Sequence, residues 1–491
     1  MLQDCLTLQA AEKSFYDVLN PKGPPSSIFI GCIGRIAIIQ KKGEKKQSAA
    51  SNDGPEPQEL FDEVLLCQDA DHEFKSCFHD QYVKTDASGK LQCNKQPKVS
   101  KAARSKTKHK NREVVDLCTM LTQCAQAVAN HDQRTASELI KKIGQHSSPN
   151  GDATERLAYY FADALEVRLA GSSTPSYSPL LSTQTPATEI LKAHQVYVTS
   201  CPFKKMLYFF ANRTVIKLAE NATRLHIIDF GISYGFQWSC LIQRLSKRPG
   251  GPPNLRITAI ELPQPGFRPT ERVEETMHRL EKYAERFDVP FEYTVIAQKW
   301  ETIRFEDLKV DKYEMIVVNC MRRLRHIPDE TVAVSSPRDT VLNLIEKINP
   351  DLFIHGVVNG TYNSPFFVTR FREAFFHYSA LSDTFEATIP REDEHRLMFE
   401  KAIYGRDIMN VIACEGLERV ERPETYKYWQ VRYHRAGFKQ VPLDQELLKK
   451  VKAMLKLMRY HNDFRIDEDG HWMLQGWKGR IIIALSALKP A

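Results

Sequence analysis

Two carboxylates and two glycines carry the strongest chemical signal in the chain. Asp229 closes the apolar run "LHIIDF", Gly231 and Gly235 follow it, and Glu261 closes the next apolar run, "LRITAIE". An acid at a strand end, a glycine loop and a second acid one strand further on are the parts that hold an adenosyl cofactor. Loop glycines admit a ligand to the bare backbone, and the second acid reaches a ribose diol. The chemistry would be methyl transfer. Against it stands Ser233, which occupies the middle glycine position of a D-x-G-x-G-x-G loop, between Ile232 and Tyr234. Its Cβ and hydroxyl fill the point of closest approach. The two remaining glycines still permit the turn and close helix–strand packing. Asp229, Gly231, Ser233, Gly235 and Glu261 therefore read as a vestigial ligand crevice that serves the fold, and no cofactor is expected. Ligand binding without turnover, and methyl transfer itself, stay open as alternatives.

Other chemistry has less to stand on. After the fourth strand comes "NCMRR", not an amide clamp of the N-P-P-Y kind. Cys320 has Arg322 and Arg323 nearby to lower its pKa, but a buried structural thiol is the commoner case. No Ser-His-Asp order, H-E-x-x-H or P-loop occurs. Cys67, His72, Cys77, His79 and Cys93 mimic a metal cluster, yet their spacing matches no zinc pattern. His226 lies within a buried strand and reads as a satisfied core histidine. No catalytic residue and no metal ligand is assigned, and the chain is read as a non-enzyme. Eleven cysteines without a C-x-x-C pair argue against a disulfide framework and for a reducing compartment.

The elements that must position the crevice follow from periodicity. From Glu113 a helical stripe runs through Val114, Leu117, Leu121, Cys124, Ala125 and Val128. Further helices continue to residue 221. Leucine spacing is not sustained over three or four heptads, so a packed bundle is preferred to a coiled coil; a homo- or hetero-dimer stays open. Strands and helices then alternate. "LHIIDF", "LRITAIEL", "FEYTVIA", "YEMIVVN" and "DLFIHGVV" are strands, with helices between them, which means a parallel sheet covered on both faces. A second helical stretch follows, and "FRIDEDGHWMLQGWKGRIIIALSAL" closes the sheet as paired antiparallel strands. Phe366, Phe367, Phe371, Phe375 and Tyr378 recur near helical spacing and read as core or cap packing. Arg372 and Glu373 read as a surface or cap-contact pair. Trp472 and Trp477 read as packing in the terminal sheet. "RVERPETYKYWQ" reads either as an inter-domain or partner surface or as a solvated face.

Residues 1–110 differ in character. They are rich in Pro, Ser and Lys and cannot bury enough apolar surface to offset ordering entropy. Two islands, "EKSFYDVL" and "PQELFDEVLLC", are candidate docking segments. The longest apolar run, Ile28 to Ile39, is broken by Arg35 and is too short to span a bilayer. The net charge of +7 gathers partly in "KQPKVSKAARSKTKHKNR". Lys98, Lys101, Arg104, Lys106, Lys108, Lys110 and Arg112 there form a candidate nuclear import signal. A solvated linker and a weak phosphate contact are the other readings. No helix-turn-helix, zinc finger or basic zipper is present.

These landmarks together resemble one family. "LHIID", "LRITAI", "PFFVTRFREAFFHYSALSD", "RVER", the Trp429-to-Gly437 spacing and "WMLQGWKGRIIIALSAL" resemble, in order, the motifs of the plant GRAS family. The resemblance covers about 113–491. Leu225 stands where the first motif has Val, and Leu488 where the last has Trp. "RLSKRPGGPP", "IELPQPGFRP" and the two islands resemble the scarecrow-like branch with long acidic N-terminal tails. The resemblance implies a nuclear transcriptional regulator that works mostly through protein partners, DNA-bound transcription factors among them, with DNA contact indirect or weak. The expected architecture is a methyltransferase-like, doubly wound (Rossmann-type) α/β sheet with an α-helical cap and a disordered N-terminal tail. The expected layout is 1–110 disordered and 111–491 a GRAS domain. Within it, 111–221 forms the cap and 222–491 the α/β core, with further cap helices at about 364–420.

Overall fold

The computed structural model describes residues 116–171, 187–264, 268–333 and 335–491. The docking islands, the Cys/His group and the basic run all lie outside the described residues, as does the Ser/Thr/Pro loop at 172–186. Three helices come first: α1 (Leu117–Ala129), α2 (Gln133–Gly144) and α3 (Ala153–Ala170). Each starts at an aspartate that accepts a backbone N–H of its own first turn. The three caps are Asp116, Asp132 and Asp152, each worth about 1 kcal/mol. Leu117, Leu121, Cys124, Ala125 and Val128 form the buried stripe of α1, as the spacing predicts. Helices α4 (Ala187–Ser200) and α5 (Phe203–Leu218) lead to the sheet.

Five parallel strands follow: β1 (Arg224–Phe230), β2 (Asn254–Glu261), β3 (Phe291–Ala297), β4 (Met315–Met321) and β5 (Leu352–Val358). Helices α6 (Phe236–Ser246), α7 (Glu271–Arg286) and α8 (Pro337–Ile348) connect them. A cap segment comes next: α9 (Phe367–Thr388), α10 (Glu394–Phe399), one π-helical turn (Glu400–Gly405) and α11 (Arg406–Ala413). The chain returns through α12 (Tyr426–Arg435), β6 (Phe438–Gln440) and α13 (Gln445–Leu457) to β7 (Phe464–Asp469), β8 (Trp472–Trp477) and β9 (Arg480–Pro490).

The strand order is β3-β2-β1-β4-β5-β9-β8-β7, with β6 on β9. Strands β1 to β5 pair in parallel; β5–β9, β9–β8 and β8–β7 are antiparallel. This is the doubly wound, methyltransferase-like sheet that the alternating pattern predicts. The antiparallel closure is larger than the single pair expected, because β6 also joins it. Alternate residues face two cores. Leu225 and Ile227 face the side shared with the cap helices, Ile228 and Phe230 the side of α8 and α12. Leu488, where the family motif has Trp, is fully buried against the second core.

The cap is one body made from two distant stretches of sequence. Buried Arg156 on α3 bonds Glu400 of the π turn at 3.1 Å and Glu386 of α9 at 2.7 Å. Phe161 meets Phe371 and Phe375 edge-on at 5.4 and 5.3 Å. Phe371 and Tyr378 are buried as expected, but Phe366 is 75% exposed and belongs to neither core nor cap. It precedes α9 instead of lying on its inner stripe. Arg372 is exposed, and Glu373 instead accepts the Thr361 hydroxyl. The second helical stretch is shorter than its pattern: it stops at Ala413, and "RVERPE" is extended chain.

Candidate functional site

The crevice opens at the carboxyl ends of β1, β2 and β4, where open α/β sheets place ligands. The loop from β1 to α6 needs three residues at positive φ: Gly231 (101°), Ser233 (56°) and Gly235 (74°). Ser233 thus pays a backbone cost that glycine would avoid. Its N–H donates to Glu261 Oε2 at 3.1 Å, and its carbonyl accepts from Thr276 Oγ1 at 3.3 Å.

Both candidate acids are engaged by the chain itself. Asp229 accepts Trp238 Nε1 at 2.6 Å and Asn319 Nδ2 at 2.9 Å. Burial pushes its carboxyl up to about 7, and those two donors offset only part of the effect. Glu261 accepts Arg323 at 2.5 Å, with Arg272 at 3.6 Å. Burial would raise its pKa, but the two guanidinium groups outweigh that and hold it low. The group placed to take a ribose diol therefore already has a cation on it.

Arg323 also lies across the glycine loop. A Cβ at Gly231 would come within 2.4 Å of Arg323 Cγ. The close approach that Gly231 permits is thus used by an arginine of the same chain. The sequence pointed to Ser233 as the obstruction; the arginine of the β4 loop occupies more of the space.

Cys320 is fully buried, and burial with Asp229 beside it pushes its thiol up to about 12. That is the wrong direction for a nucleophile. His226 is buried with Nε2 2.8 Å from Thr258 Oγ1, and burial lowers its pKa to about 3. It is a neutral, bonded core histidine. Trp472 and Trp477 are buried in the terminal sheet, with Trp477 Nε1 donating to Asp383 at 2.7 Å. Among the described residues no group of three or more His, Cys, Asp or Glu side chains could hold a metal.

The largest surprise is "RVER". Arg419, Glu421 and Arg422 are at most 3% exposed, so a solvated face does not describe them; the inter-domain reading fits, since the Glu421 N–H donates to Asn410 of the cap while its carboxylate takes Arg325 of the β4 loop. Glu421 accepts Arg325 Nε at 2.6 Å and stands 2.8 Å from His326 Nε2. Arg422 meets Asp329 at 3.3 Å, and Arg419 donates to Asn363 Oδ1 at 2.9 Å. The segment clamps the loop after β4. Its counterpart in the sequence is "MRRLRH": Arg325 there finds its acid, Glu421, 96 residues away, and Arg323 finds Glu261 62 residues away. Local charge reading cannot pair groups at that separation.

Under the cap the crevice widens into a cavity of about 260 Å³. Lys204 and Tyr208 of α5, Arg322 after β4, Tyr362 before α9, and Phe399 and Tyr404 of the cap all face it. Nothing in the sequence marked Lys204; Arg322 stood out only as a neighbour of Cys320, and the arginine excess of "MRRLRH" was the available signal.

Known proteins agree with the motif reading. The GRAS domain family matches residues 117–489. Scarecrow-like protein 14 of Arabidopsis thaliana is 52% identical, over 91% of this chain and 58% of its own length. Scarecrow-like protein 30 of the same plant is 48% identical, over 100% of this chain and 86% of its own length. The chain thus spans less than two thirds of the first of these relatives. Among solved structures, SCL7 of Oryza sativa superposes with a TM-score of 0.65 at 27% identity, covering 76% of this chain and 100% of that one.

Proposed function

The chain belongs to the GRAS domain family, and from that premise we propose that it is a plant nuclear transcriptional regulator working as a protein-interaction scaffold for DNA-bound transcription factors. Family membership and the Scarecrow-like relatives support the coarse part, plant transcriptional regulation. The scaffold part rests on one observation: both carboxylates of the nucleotide crevice are engaged internally, Asp229 by Trp238 and Asn319, Glu261 by Arg323. A fold whose cofactor contacts are replaced by its own side chains keeps rigid surfaces and loses the means of turnover. Function is then a matter of what docks on those surfaces.

Calorimetry of the full chain with S-adenosylmethionine and S-adenosylhomocysteine tests the non-catalytic half. No heat is expected; saturable binding of either, abolished in Asp229→Ala, would favour the methyltransferase reading instead. Affinity purification from plant nuclei, with nuclease treatment, tests the other half. Recovery of DNA-binding factors is expected. Sequence-specific DNA binding by the purified chain alone, surviving random competitor, would sink the indirect mode. Nuclear import is proposed to depend on Lys98, Lys101, Arg104, Lys106, Lys108, Lys110 and Arg112. Alanine at Lys101, Arg104, Lys106, Lys108 and Lys110 together should leave a tagged chain outside the nucleus.

A further inference from the structure

The cavity under the cap holds basic side chains that the chain gives no acid partner. Of the basic side chains that border it, Arg323 and Arg272 have Glu261, Arg325 has Glu421, and Arg406 has Asp407 at 3.2 Å. Lys204 and Arg322 have no carboxylate within ion-pair distance among the described residues. Lys204 Nζ has His194 Nδ1 at 3.2 Å. Arg322 reaches the Tyr208 hydroxyl, while its buried Nε has no partner. Nε2 of His194 is also buried and unpartnered. That ring is held flat on Phe236, centroids 3.9 Å apart.

Arg322 is moreover held in the left-handed region, at φ 64°, by its N–H to Gly356 O. Side-chained residues seldom stay there unless the surroundings over-determine them, and such residues cluster at ligand clamps. Burial, with Arg322 and Arg325 nearby, pushes the Lys204 ammonium well below its ordinary pKa, so Arg322 is the standing cation here and Lys204 takes up its charge when an anion sits between the two. Beyond the polar groups of the glycine-loop end, such as Ser233, Gln237 and Asn319, the cap side of the space is walled by Met321, Tyr378, Leu381, Met398, Phe399 and Ile483. Asp229 and Asp407 also border the space, which disfavours a dianion.

We propose that this cavity binds a small organic acid, its carboxylate held by Arg322 and Lys204 and its apolar body against the cap aromatics. His194 Nε2 completes the set of donors when it carries the ring proton. The sulfonium centre of an adenosyl cofactor has the opposite charge and is repelled by Arg322. Unlike the scaffold reading, this inference depends on the cap, and either can fail alone.

The test uses the full chain and a panel of aromatic and aliphatic monocarboxylates, naphthoate, phenylbutyrate and decanoate among them, each paired with its neutral amide. Thermal unfolding and calorimetry are read together. At least one acid should bind and raise the unfolding temperature, its amide should not, and Arg322→Met should weaken binding about tenfold or more. Lys204→Met should do the same and Lys204→Arg should retain binding. Circular dichroism and unfolding without ligand establish that each variant is folded. If no acid binds at millimolar concentration, if acid and amide bind alike, or if binding survives Arg322→Met, the proposal fails.

Discussion

Asp229 and Arg322 border one crevice, yet the two ends of it handle charge in opposite ways. At the glycine-loop end, Asp229 has Trp238 and Asn319, and Glu261 has Arg323 and the Ser233 N–H. At the cap end, Lys204 and Arg322 have hydroxyl and imidazole neighbours and no acid among the described residues. The difference teaches how to read a sheet of the nucleotide-binding type. An acid in the expected place says little until its partners are counted. Where the partners are internal, the group is architecture; where they are missing, the structure has left room for something from outside.

Four measurements break or sharpen that contrast. The largest effect is expected from Glu421→Ala, which strips Arg325 and His326 of their shared acid. Asp407, 3.7 Å from Arg325, keeps part of the pairing, so the expected loss is about 3 kcal/mol, the lower end for breaking a buried pair, read by denaturant unfolding of the full chain; a loss under about 1 kcal/mol would mean the clamp is solvated after all. Glu261→Ala should cost somewhat less, about 2–3 kcal/mol, because Arg323 is 26% exposed and can turn to water. Adding Arg323→Met should recover part of that loss, and purely additive losses would contradict the pairing.

Asp229 gives a pH signature. Its pKa in the fold is held up at about 7, against an ordinary 3.8. Over that interval the folded chain keeps a proton that the unfolded chain has released, so stability falls as pH climbs from about 4 to about 7. Asp229→Asn should flatten that part of the profile; an unchanged slope would assign it elsewhere. The smallest effect is expected at the open end. Lys204→Met removes a buried amine whose charged form is disfavoured by burial, and should be neutral or stabilising by up to about 1 kcal/mol. A large destabilisation there would place Lys204 with Glu261, among the groups that hold the fold.

The sheet was legible because its signal is local. Each of β1 to β5 is a short stretch rich in apolar and β-branched residues with a polar residue at or near its end, and "DEDG" and "WKGR" mark the turns of the closing strands. Asp229, Glu261 and the glycines could be placed for the same reason: they sit at strand ends that periodicity finds. What could not be read were pairings across long loops. Arg323 reaches Glu261 from 62 residues away, and Arg325 reaches Glu421 from 96. A charged stretch such as "RVER" looks solvated until the loop that buries it is in place. Phe366 failed in the other direction: its type predicts burial, but its position just ahead of α9 leaves it outside the stripe.

The placement of β9 has a bearing on how the molecule is made. It fills the middle of the sheet, between β5 and β8, although it is the last strand of the sequence. From Val358 to Arg480 the ribosome needs roughly 6–25 s at ordinary elongation speeds. Throughout that wait the nascent β5 offers an unsatisfied edge and must be shielded by chaperones or by the cap. A message cut short before Arg480 would therefore yield a half-closed, aggregation-prone product, not a trimmed regulator.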